Sequence, residues 1–395
     1  MARLDQVAIT AAEARDKRLS VYFLCAATFF FWASLYIYVP ILPVYAQILS
    51  GSMALVGVAL GAYGITQLIL RIPLGVWSDS MGARKPFILG GLVCAAAGAA
   101  GLALAPDIGL LAVARGLTGV GASTWVVFAV LFARYFPSQK ATQAMGLINA
   151  VHGLSQVAAT YAGGQLTEAY GWQACFYSGG ALALVGILCM LKVGEKPGTV
   201  NGVLSARQVF RISTVPILLM SSVLAIVVTF VAFATNFGFV PIYAVRIRAS
   251  KADLGTMTML MFAAYTGAAL LTVLATNRLG TRITVVSGIA LMAVGTFAVP
   301  LADTVPLLAL TQVVSGLGRG LAHPVLMALS IREVVSSEQA TAMGVFQALY
   351  SIGMFAGPSI AGLWADLFGL ESVFTFSGAI SLGAVALAVF RIPRD

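Results

Sequence analysis

Charge is scarce in this chain: only 9% of its 395 residues are charged, whereas 60% are hydrophobic. A soluble globular domain has charged residues at about a quarter of its positions, so an ordinary soluble fold is excluded. Twelve apolar segments, the first near 19–48 and the last near 371–391, reach about the 20 residues that a bilayer crossing requires. The segments are continuous and lack the alternation of membrane strands. The sequence therefore predicts an all-α integral membrane protein with twelve transmembrane helices.

Cysteine and the known catalytic motifs are equally sparse. The four cysteines lie inside apolar segments without metal-ligand spacing, which excludes a disulfide framework and a Cys/His metal site: Cys25, Cys94, Cys175 and Cys189. A glycine-rich phosphate loop, a catalytic serine elbow and a cluster of acids and histidines at a membrane boundary are also absent. We therefore expect no enzyme, no cofactor and no metal.

The net charge of +9 needs an explanation other than nucleic-acid binding. Most of the 23 basic residues fall in those connections that share a side of the membrane with the N-terminus. This is the positive-inside pattern, which predicts a multi-pass protein of the cell inner (plasma) membrane with both termini in the cytoplasm. The first apolar segment is too long for a signal-peptide core, so we expect an uncleaved first helix. The expected partners are the lipid bilayer and a small molecule, and we expect a monomer.

An internal repeat divides the sequence into two halves. The motif "PVYA" at 43–46 recurs as "PIYA" at 241–244, and the "AMG" that ends at Gly146 recurs at Gly344, both 198 positions later. Six predicted helices separate equivalent points, so the halves have the same orientation and a pseudo-twofold axis along the membrane normal. The predicted parts are a cytoplasmic segment 1–18, a six-helix bundle 19–191, a cytoplasmic linker 192–212, a second bundle 213–391 and a tail 392–395.

Two similar bundles that rock about a central site suit transport by alternating access. The segment "GVWSDSMGARKP" at 75–86 resembles the loop signature of the major facilitator superfamily of secondary transporters through Gly75, Asp79, Gly82 and Arg84. The segment "ARGLTGVGAS" in the fourth helix is similar to a second motif of that family. The resemblance covers essentially the whole chain and implies the fold of that family. Because Asp79 ends a helix and glycines permit a tight turn, we predict that the loop forms a cytoplasmic gate.

One sequence motif bears on the direction of transport. Drug/proton exporters of the family usually have a Gly-Pro signature in helix five, where this chain reads "ATYAGG" at 159–164; "GPSIAG" occurs instead at 357–362, in helix eleven. We favour export of a small amphipathic organic compound, with uptake of an organic anion or zwitterion as the alternative. An integral membrane enzyme or a non-transporting receptor are alternatives of another class.

The family arrangement implies that helices one, four, seven and ten line the central cavity. Positions 198 residues apart should then face it from opposite sides, and three such pairs combine polar or aromatic residues: Trp125 with His323, Asn149 with Gln347, and His152 with Tyr350. Trp32 and Tyr36 on the first helix and Asn236 on the seventh are further candidates for substrate binding, because aromatic rings with polar tips suit an amphipathic ligand.

The tenth helix carries a polar stripe. Gln312, Ser315, Arg319 and His323 step by three or four residues and therefore share one helical face. Contact of Arg319 with lipid would cost about 2.5–3.5 kcal/mol or more, so the stripe should face the bundle interior. No acid lies near a helix midpoint. We predict that Arg319, with His323 and Arg115, binds an anionic or zwitterionic group; the alternative is that both arginines are structural.

Coupling to protons has two candidate residues. His152 and His323 are the only histidines of the chain, and both lie within apolar segments. A histidine changes its charge near neutral pH and can therefore carry a proton. The alternative for each is a neutral imidazole packed in the interior.

Overall fold

The structure is a computed structural model that describes residues 2–195, 206–335 and 338–393. Within this described part the chain is helical, and no strand is present. The helices form two bundles of six, which we number α1 to α12. The start of α1 and the end of α12 lie at one end of the bundles, here called the proximal end, and the opposite end is called the distal end.

The first bundle contains α1 to α6, and two of these helices are interrupted by a short turn. Their bounds are α1 Ala2–Tyr36, continued by Leu42–Ser50; α2 Met53–Met81; α3 Lys85–Leu104; α4 Ile108–Ser123, continued by Trp125–Arg134; α5 Ala141–Tyr170; and α6 Trp172–Leu191. The second bundle contains α7 to α12. Their bounds are α7 Pro216–Ala234, continued by a π-helical turn Thr235–Phe239 and by Val240–Arg246; α8 Lys251–Leu279; α9 Thr281–Phe297; α10 Val305–Ser330; α11 Gln339–Phe368; and α12 Leu370–Arg391.

Among the described residues, eleven helices are long and apolar enough to cross a membrane. The remaining long helix, α5, has 30 residues but a more polar sequence. Its polar side chains include Gln156 and Thr160, which are buried against neighbouring helices rather than exposed to lipid. The predicted fold class, an all-α membrane protein with twelve helices in two bundles, is confirmed.

The ends of the predicted parts differ from the helix bounds. α1 begins at Ala2, so the predicted segment 1–18 continues the first helix; only Asp16–Tyr36 is apolar enough to cross a membrane. Within the predicted linker, Ala206–Ser213 forms a short helix, whereas residues 196–205 lie outside the described residues. The tail 392–395 is described only to residue 393.

The two bundles meet chiefly along α2 with α11 and along α5 with α8. Glycines at repeat-equivalent positions permit both approaches. A Cβ on Gly57 of α2 would lie 2.1 Å from the carbonyl oxygen of Pro358, and a Cβ on Gly255 of α8 would lie 2.7 Å from the Cα of Gly164. Small residues let helix backbones approach closely in membranes, so these glycines fix how near the bundles come at the distal half.

Gly57→Leu should therefore lower the thermal unfolding midpoint in detergent, because the added side chain has no space beside Pro358. Overpacking of this kind costs about 1–3 kcal/mol. Gly90→Leu on α3 is the matched control, since a Cβ there meets nothing within 4 Å. Equal midpoints for the two variants would show that α2 and α11 do not pack as described.

Candidate functional site

Aromatic side chains of the first bundle gather beside α8 of the second. The imidazole of His152 stacks on the indole of Trp32, with ring centroids 4.1 Å apart. Trp125 approaches His152 and Trp32 with centroid distances of 5.2 and 5.4 Å. Tyr36 contacts Phe262 of α8 at 5.3 Å. The cluster therefore lies where the two bundles face each other.

Two nitrogens in this cluster are buried without a hydrogen-bond partner among the described residues. They are Nε2 of His152 and Nε1 of Trp32. Buried polar atoms in folded proteins are normally hydrogen-bonded, so two neighbouring nitrogens without a partner are exceptional. An indole N–H donates, and an imidazole nitrogen donates or accepts according to its tautomer. The cluster can therefore offer hydrogen bonds to a polar group of a ligand.

The internal repeat brings equivalent positions into equivalent contacts. In the first bundle Trp125 of α4 lies 5.2 Å from His152 of α5, between ring centroids. In the second bundle His323 of α10 lies 5.3 Å from Tyr350 of α11. Each bundle thus places one imidazole against one aromatic ring at the same level. The imidazole belongs to α5 in the first bundle and to α10 in the second.

Gln312 and Ser315, the first two residues of the polar stripe on α10, form an uncharged hydrogen-bond network with α7. The Asn236 amide nitrogen donates to Oε1 of Gln312 at 2.7 Å and to the Ser315 hydroxyl at 3.3 Å. Asn236 lies in the π-helical turn of α7, and such turns frequently occur at functional sites. All three side chains are buried. These three side chains hydrogen-bond mainly to one another, so they do not serve as partners for Arg319, the charged residue of the stripe.

Arg319 lies in the next turn of the stripe and has no such partner. Its guanidinium carbon is 5.3 Å from the ring centroid of Phe237 and 5.0 Å from that of Tyr265. Its Nε and Nη1 atoms are buried and have no hydrogen-bond partner within the part of the chain that the structure describes. Among the described residues the ion pairs lie at the proximal end, and none includes Arg319.

The aromatic rings around Arg319 lead to the boundary between the bundles. Phe237, which flanks the guanidinium, stacks on Phe262 with ring centroids 5.5 Å apart, and Phe262 contacts Tyr36 of the first bundle. The guanidinium is thus a cation without a described acidic partner, held by aromatic faces of the second bundle close to the boundary, which is an arrangement that favours an anion.

Arg115 of α4 belongs to a neighbouring cavity nearer the distal end. The residue is 6% exposed, and its guanidinium carbon lies 4.1 Å from the ring centroid of Tyr63. Its Nη1 is 3.4 Å from the Thr118 hydroxyl, and its Nε is unpaired. The cavity has room for only one or two water molecules. Its lining residues are Leu35, Tyr36, Val39, Leu42, Leu60, Tyr63, Arg115, Phe233 and Phe237.

A third buried arginine, Arg71 of α2, was not a candidate in the sequence analysis. It is 3% exposed, and its Nη1 donates to the hydroxyl of Tyr350 at 2.6 Å and to both the Oε1 and the backbone carbonyl of Gln347 at 3.2 Å. Its Nη2 donates to Gln67 one turn earlier. Two predicted substrate contacts, Gln347 and Tyr350, are therefore engaged by a cross-bundle hydrogen-bond network. Two sequence signals could have indicated it: Arg71 lies within an apolar segment, and Gln67 precedes it by one helical turn.

The structure does not bring Asn149 into this constellation. Asn149 is exposed on the proximal turns of α5, whereas its repeat partner Gln347 is buried. The two positions have the same place in the repeat, but α5 and α11 are covered to different extents at this level. Within the described residues Asn149 therefore lies apart from the cluster around His152.

The four cysteines are free, and among the described residues no group of three or more His, Cys, Asp or Glu side chains could hold a metal ion. The groups available to a ligand are one central guanidinium, a second near the distal cavity, two imidazoles and several aromatic faces. This set can bind and orient a small molecule by ionic, hydrogen-bond and stacking interactions.

A family comparison accounts for this architecture. The family model of the Major Facilitator Superfamily matches residues 24–249 and again residues 223–395, so it covers nearly the whole chain in two copies. The chain belongs to the Major Facilitator Superfamily. The inner membrane transport protein YajR of Escherichia coli (strain K12) is 36% identical over 166 residues, which is 42% of this chain and 36% of the length of YajR.

Solved transporters of the superfamily share the fold. A bacterial homologue of the human lysosomal transporter Spinster, inward-facing and unoccupied, has a TM-score of 0.78 at 16% identity over 95% of each chain. The nucleoside transporter NupG has 0.81 at 13% identity over 95% of this chain and all of the other. The human organic anion transporter MFSD10 has 0.69 at 17% identity over 94% and 99%. At these identities the likeness concerns the fold alone.

The superfamily loop signature lies at the proximal end, where Gly82 ends α2 with φ of +65°. A guanidinium nitrogen of Arg84 is 2.5 Å from the carboxylate of Asp79, whose side chain is 57% exposed. The described partner of Asp79 thus belongs to its own loop. Gly75, the first residue of the signature, has open space beside its Cα.

The helix N-terminus behind this loop is capped by a different acid. The carboxylate of Glu195 accepts hydrogen bonds from the backbone N–H groups of Arg84 and Lys85 at 2.8 and 2.7 Å, and it lies 3.7 Å from Arg134. A carboxylate at a helix N-terminus is stabilised by the helix dipole. Glu195 follows α6 in the predicted linker. The sequence did not indicate this role, because Glu195 lies far from the signature along the chain.

Proposed function

We propose that this transporter works by alternating access and exports a small amphipathic organic compound that bears an anionic or zwitterionic group. The observation that carries this proposal is Arg319, a cation between the bundles whose Nε and Nη1 are buried and unpaired. A carboxylate, sulfonate or phosphate could accept a charge-assisted hydrogen bond from either of these nitrogens. The flanking aromatic rings would contact the apolar body of the same compound.

The further residues proposed to contact the substrate surround this charge. Trp32, Tyr36, Trp125 and His152 would approach from the first bundle, and His323 would approach from the second. Arg115 would attract a second polar group of the substrate from the distal cavity. Asn236, Gln312, Gln347 and Tyr350 would act mainly by fixing helix positions, because their polar groups already have protein partners.

The distribution of basic residues supports one orientation of the protein. Arg84, Lys85, Arg134 and Arg211 lie at the proximal end, and the described distal connections carry few basic residues. We propose that the proximal end faces the cytoplasm in a cell inner (plasma) membrane. We also propose that the chain acts as a monomer and that it is not an enzyme. The loop of Gly75, Asp79, Gly82 and Arg84 would then take part in a cytoplasmic gate.

Uptake of an organic anion or zwitterion is the second candidate. The observation that favours it is the missing proline in α5, where "ATYAGG" stands at the position repeat-equivalent to "GPSIAG" in α11. In the structure, glycines of both segments contact other helices, so each has a packing role: Gly164 meets Gly255, and Gly362 meets Met53.

Flux in proteoliposomes tests the proposal and separates a transporter from a receptor or an enzyme. Purified protein would be reconstituted, and a compound that raises its unfolding temperature would be followed across the membrane under imposed gradients. Directional movement against a gradient of the compound is expected. A protein that binds the compound but never moves it would be a receptor, and chemical conversion of the compound would indicate an enzyme.

We further propose that a histidine couples this movement to protons. His152 and His323 are the histidines of the chain, and both pack against aromatic side chains of the proposed site, so an anion bound there would favour the charged form of either ring. His152→Gln and His323→Gln should therefore be made separately, to find which ring is responsible.

Loss of pH-gradient-driven flux with retained substrate exchange is the expected result for the coupling histidine. The retained exchange distinguishes lost coupling from lost folding or binding. If the single and the double variants all kept flux driven by the pH gradient, coupling through histidine would be wrong.

A further inference from the structure

Two carboxylates at the distal end reach from one bundle to the other. Asp366, near the end of α11, accepts hydrogen bonds from the first residues of α2. The donors are the Ser52 hydroxyl at 2.9 Å, the Met53 backbone N–H at 3.0 Å and the Ala54 backbone N–H at 2.9 Å. A side chain of the second bundle thus caps a helix of the first.

The reverse contact exists at the other interface. Glu168, near the end of α5, accepts a hydrogen bond at 2.9 Å from the backbone N–H of Lys251, the first residue of α8. Glu168 and Asp366 are 198 positions apart, as are the N-cap residues Ser52 and Ser250. The two contacts are therefore repeat-equivalent, and each bundle gives one acid and receives one.

The two contacts differ in their number of hydrogen bonds, and the sequence accounts for part of the difference. α8 has its own capping box: the Asp253 carboxylate accepts from the Ser250 N–H at 2.9 Å and from the Ser250 hydroxyl at 2.8 Å, which leaves Glu168 with the Lys251 N–H. The position in α2 equivalent to Asp253 is Leu55, whose side chain cannot accept a hydrogen bond. The Ser52 hydroxyl accepts from the Leu55 N–H at 3.4 Å, but the Met53 and Ala54 N–H groups and the Ser52 hydroxyl donate to Asp366 of the other bundle, which takes the place of the missing acid.

These hydrogen bonds cross the boundary between the bundles, so they exist only while the distal ends touch. An interaction that is present in one conformation and absent in the other shifts the equilibrium toward the first by its own free energy. The capping acids add a term that is lost when the distal side opens.

We propose that Asp366 and Glu168 are paired latches that hold the distal side closed, and that Asp366 is the stronger of the two. The positive end of the helix dipole attracts each carboxylate, and the unpaired N–H groups of the helix supply the donors. Opening the distal side exposes the first turn of α2 without its acid. The latches therefore set the resting balance between the two conformations, whatever the substrate is.

The accessibility of the distal cavity can measure this balance without any substrate. Leu60, 4% exposed, lines that cavity and becomes reachable only when the distal ends part. With the four native cysteines replaced by alanine, a Leu60→Cys reporter would be labelled by a polar maleimide at a rate proportional to the open fraction. Leu104→Cys, at a site 66% exposed, is the matched reporter that opening should not affect.

Asp366→Asn is expected to raise the labelling rate of the Leu60→Cys reporter about two- to fivefold, which is the range for one charge at a helix N-terminus. Glu168→Gln should raise it less. Glu371→Gln removes another distal acid, in the first turn of α12, and should leave the rate unchanged. An unchanged rate in Asp366→Asn, or an equal rise in Glu371→Gln, would overturn the proposal.

Leu55→Asp tests the capping argument while Asp366 stays in place. It gives α2 the acid that α8 already has, so the helix keeps a cap when the distal ends separate, and the two nearby carboxylates repel each other. The labelling rate should rise as it does in Asp366→Asn. A rate equal to that of the parent reporter would show that Asp366 does not act as the substitute cap.

Discussion

Arg319→Ala is expected to weaken binding of an anionic substrate by about 10- to 150-fold, which corresponds to about 1.5–3 kcal/mol for hydrogen bonds to a charged group. The guanidinium has two buried unpaired nitrogens and no carboxylate among the described residues. A substrate anion would therefore meet a partner that nothing in the protein replaces. Equilibrium binding to purified protein, at fixed pH and salt, measures the effect.

Two matched variants show whether the loss is specific. Arg319→Lys keeps the charge but loses the planar fork, so it should recover only part of the affinity. Arg278→Ala removes one basic residue from the end of α8, away from the interface, and should leave binding unchanged. Unaltered affinity in Arg319→Ala, or an equal loss in Arg278→Ala, would show that Arg319 does not contact the substrate.

The double variant Gln67→Leu/Tyr350→Phe is expected to destabilise the protein by about 2–4 kcal/mol, because it removes two acceptors from a buried guanidinium. Arg71 is 3% exposed and is held by these two residues and by Gln347. Water cannot easily replace the lost partners at such a site. Thermal or denaturant unfolding in detergent would show the loss.

Adding Arg71→Met to that double variant should restore most of the stability. The cost arises from a stranded charge, and an apolar side chain of similar length removes that charge. Tyr161→Phe on the exposed side of α5 is the control for loss of a phenol hydroxyl and should be nearly neutral. A triple variant less stable than the double would mean that Arg71 stabilises the interface by its own packing.

Much of the fold could be predicted because its signals are periodic. Lengths of apolar segments gave the helices, and the constant spacing between the two halves gave the bundles. The same spacing predicted that Trp125 is equivalent to His323 and His152 to Tyr350, and the structure adds the ring contacts between Trp125 and His152 and between His323 and Tyr350. A helical stripe likewise indicated that Arg319 faces inward, since three- and four-residue steps define a face before any tertiary contact is known.

The partners of buried charges could not be read in this way. Arg71 bonds to residues of α11 that lie far away in the sequence, and Glu195 caps α3 from the linker. Such contacts depend on how closely the two bundles approach each other along the helices. Helical periodicity in the sequence carries no information about that distance. Asn149 illustrates the same limit, because its place in the repeat did not determine its exposure.

Paired compounds that differ only in charge test the central claim most directly. Organic acids and their neutral methyl esters would be compared by the unfolding temperature of the purified protein and of Arg319→Ala. We predict that at least one acid raises the unfolding temperature of the unaltered protein, that its ester does not, and that Arg319→Ala loses the difference. Equal stabilisation by acid and ester, or an acid effect that persists in Arg319→Ala, would contradict an anion-binding guanidinium between the bundles.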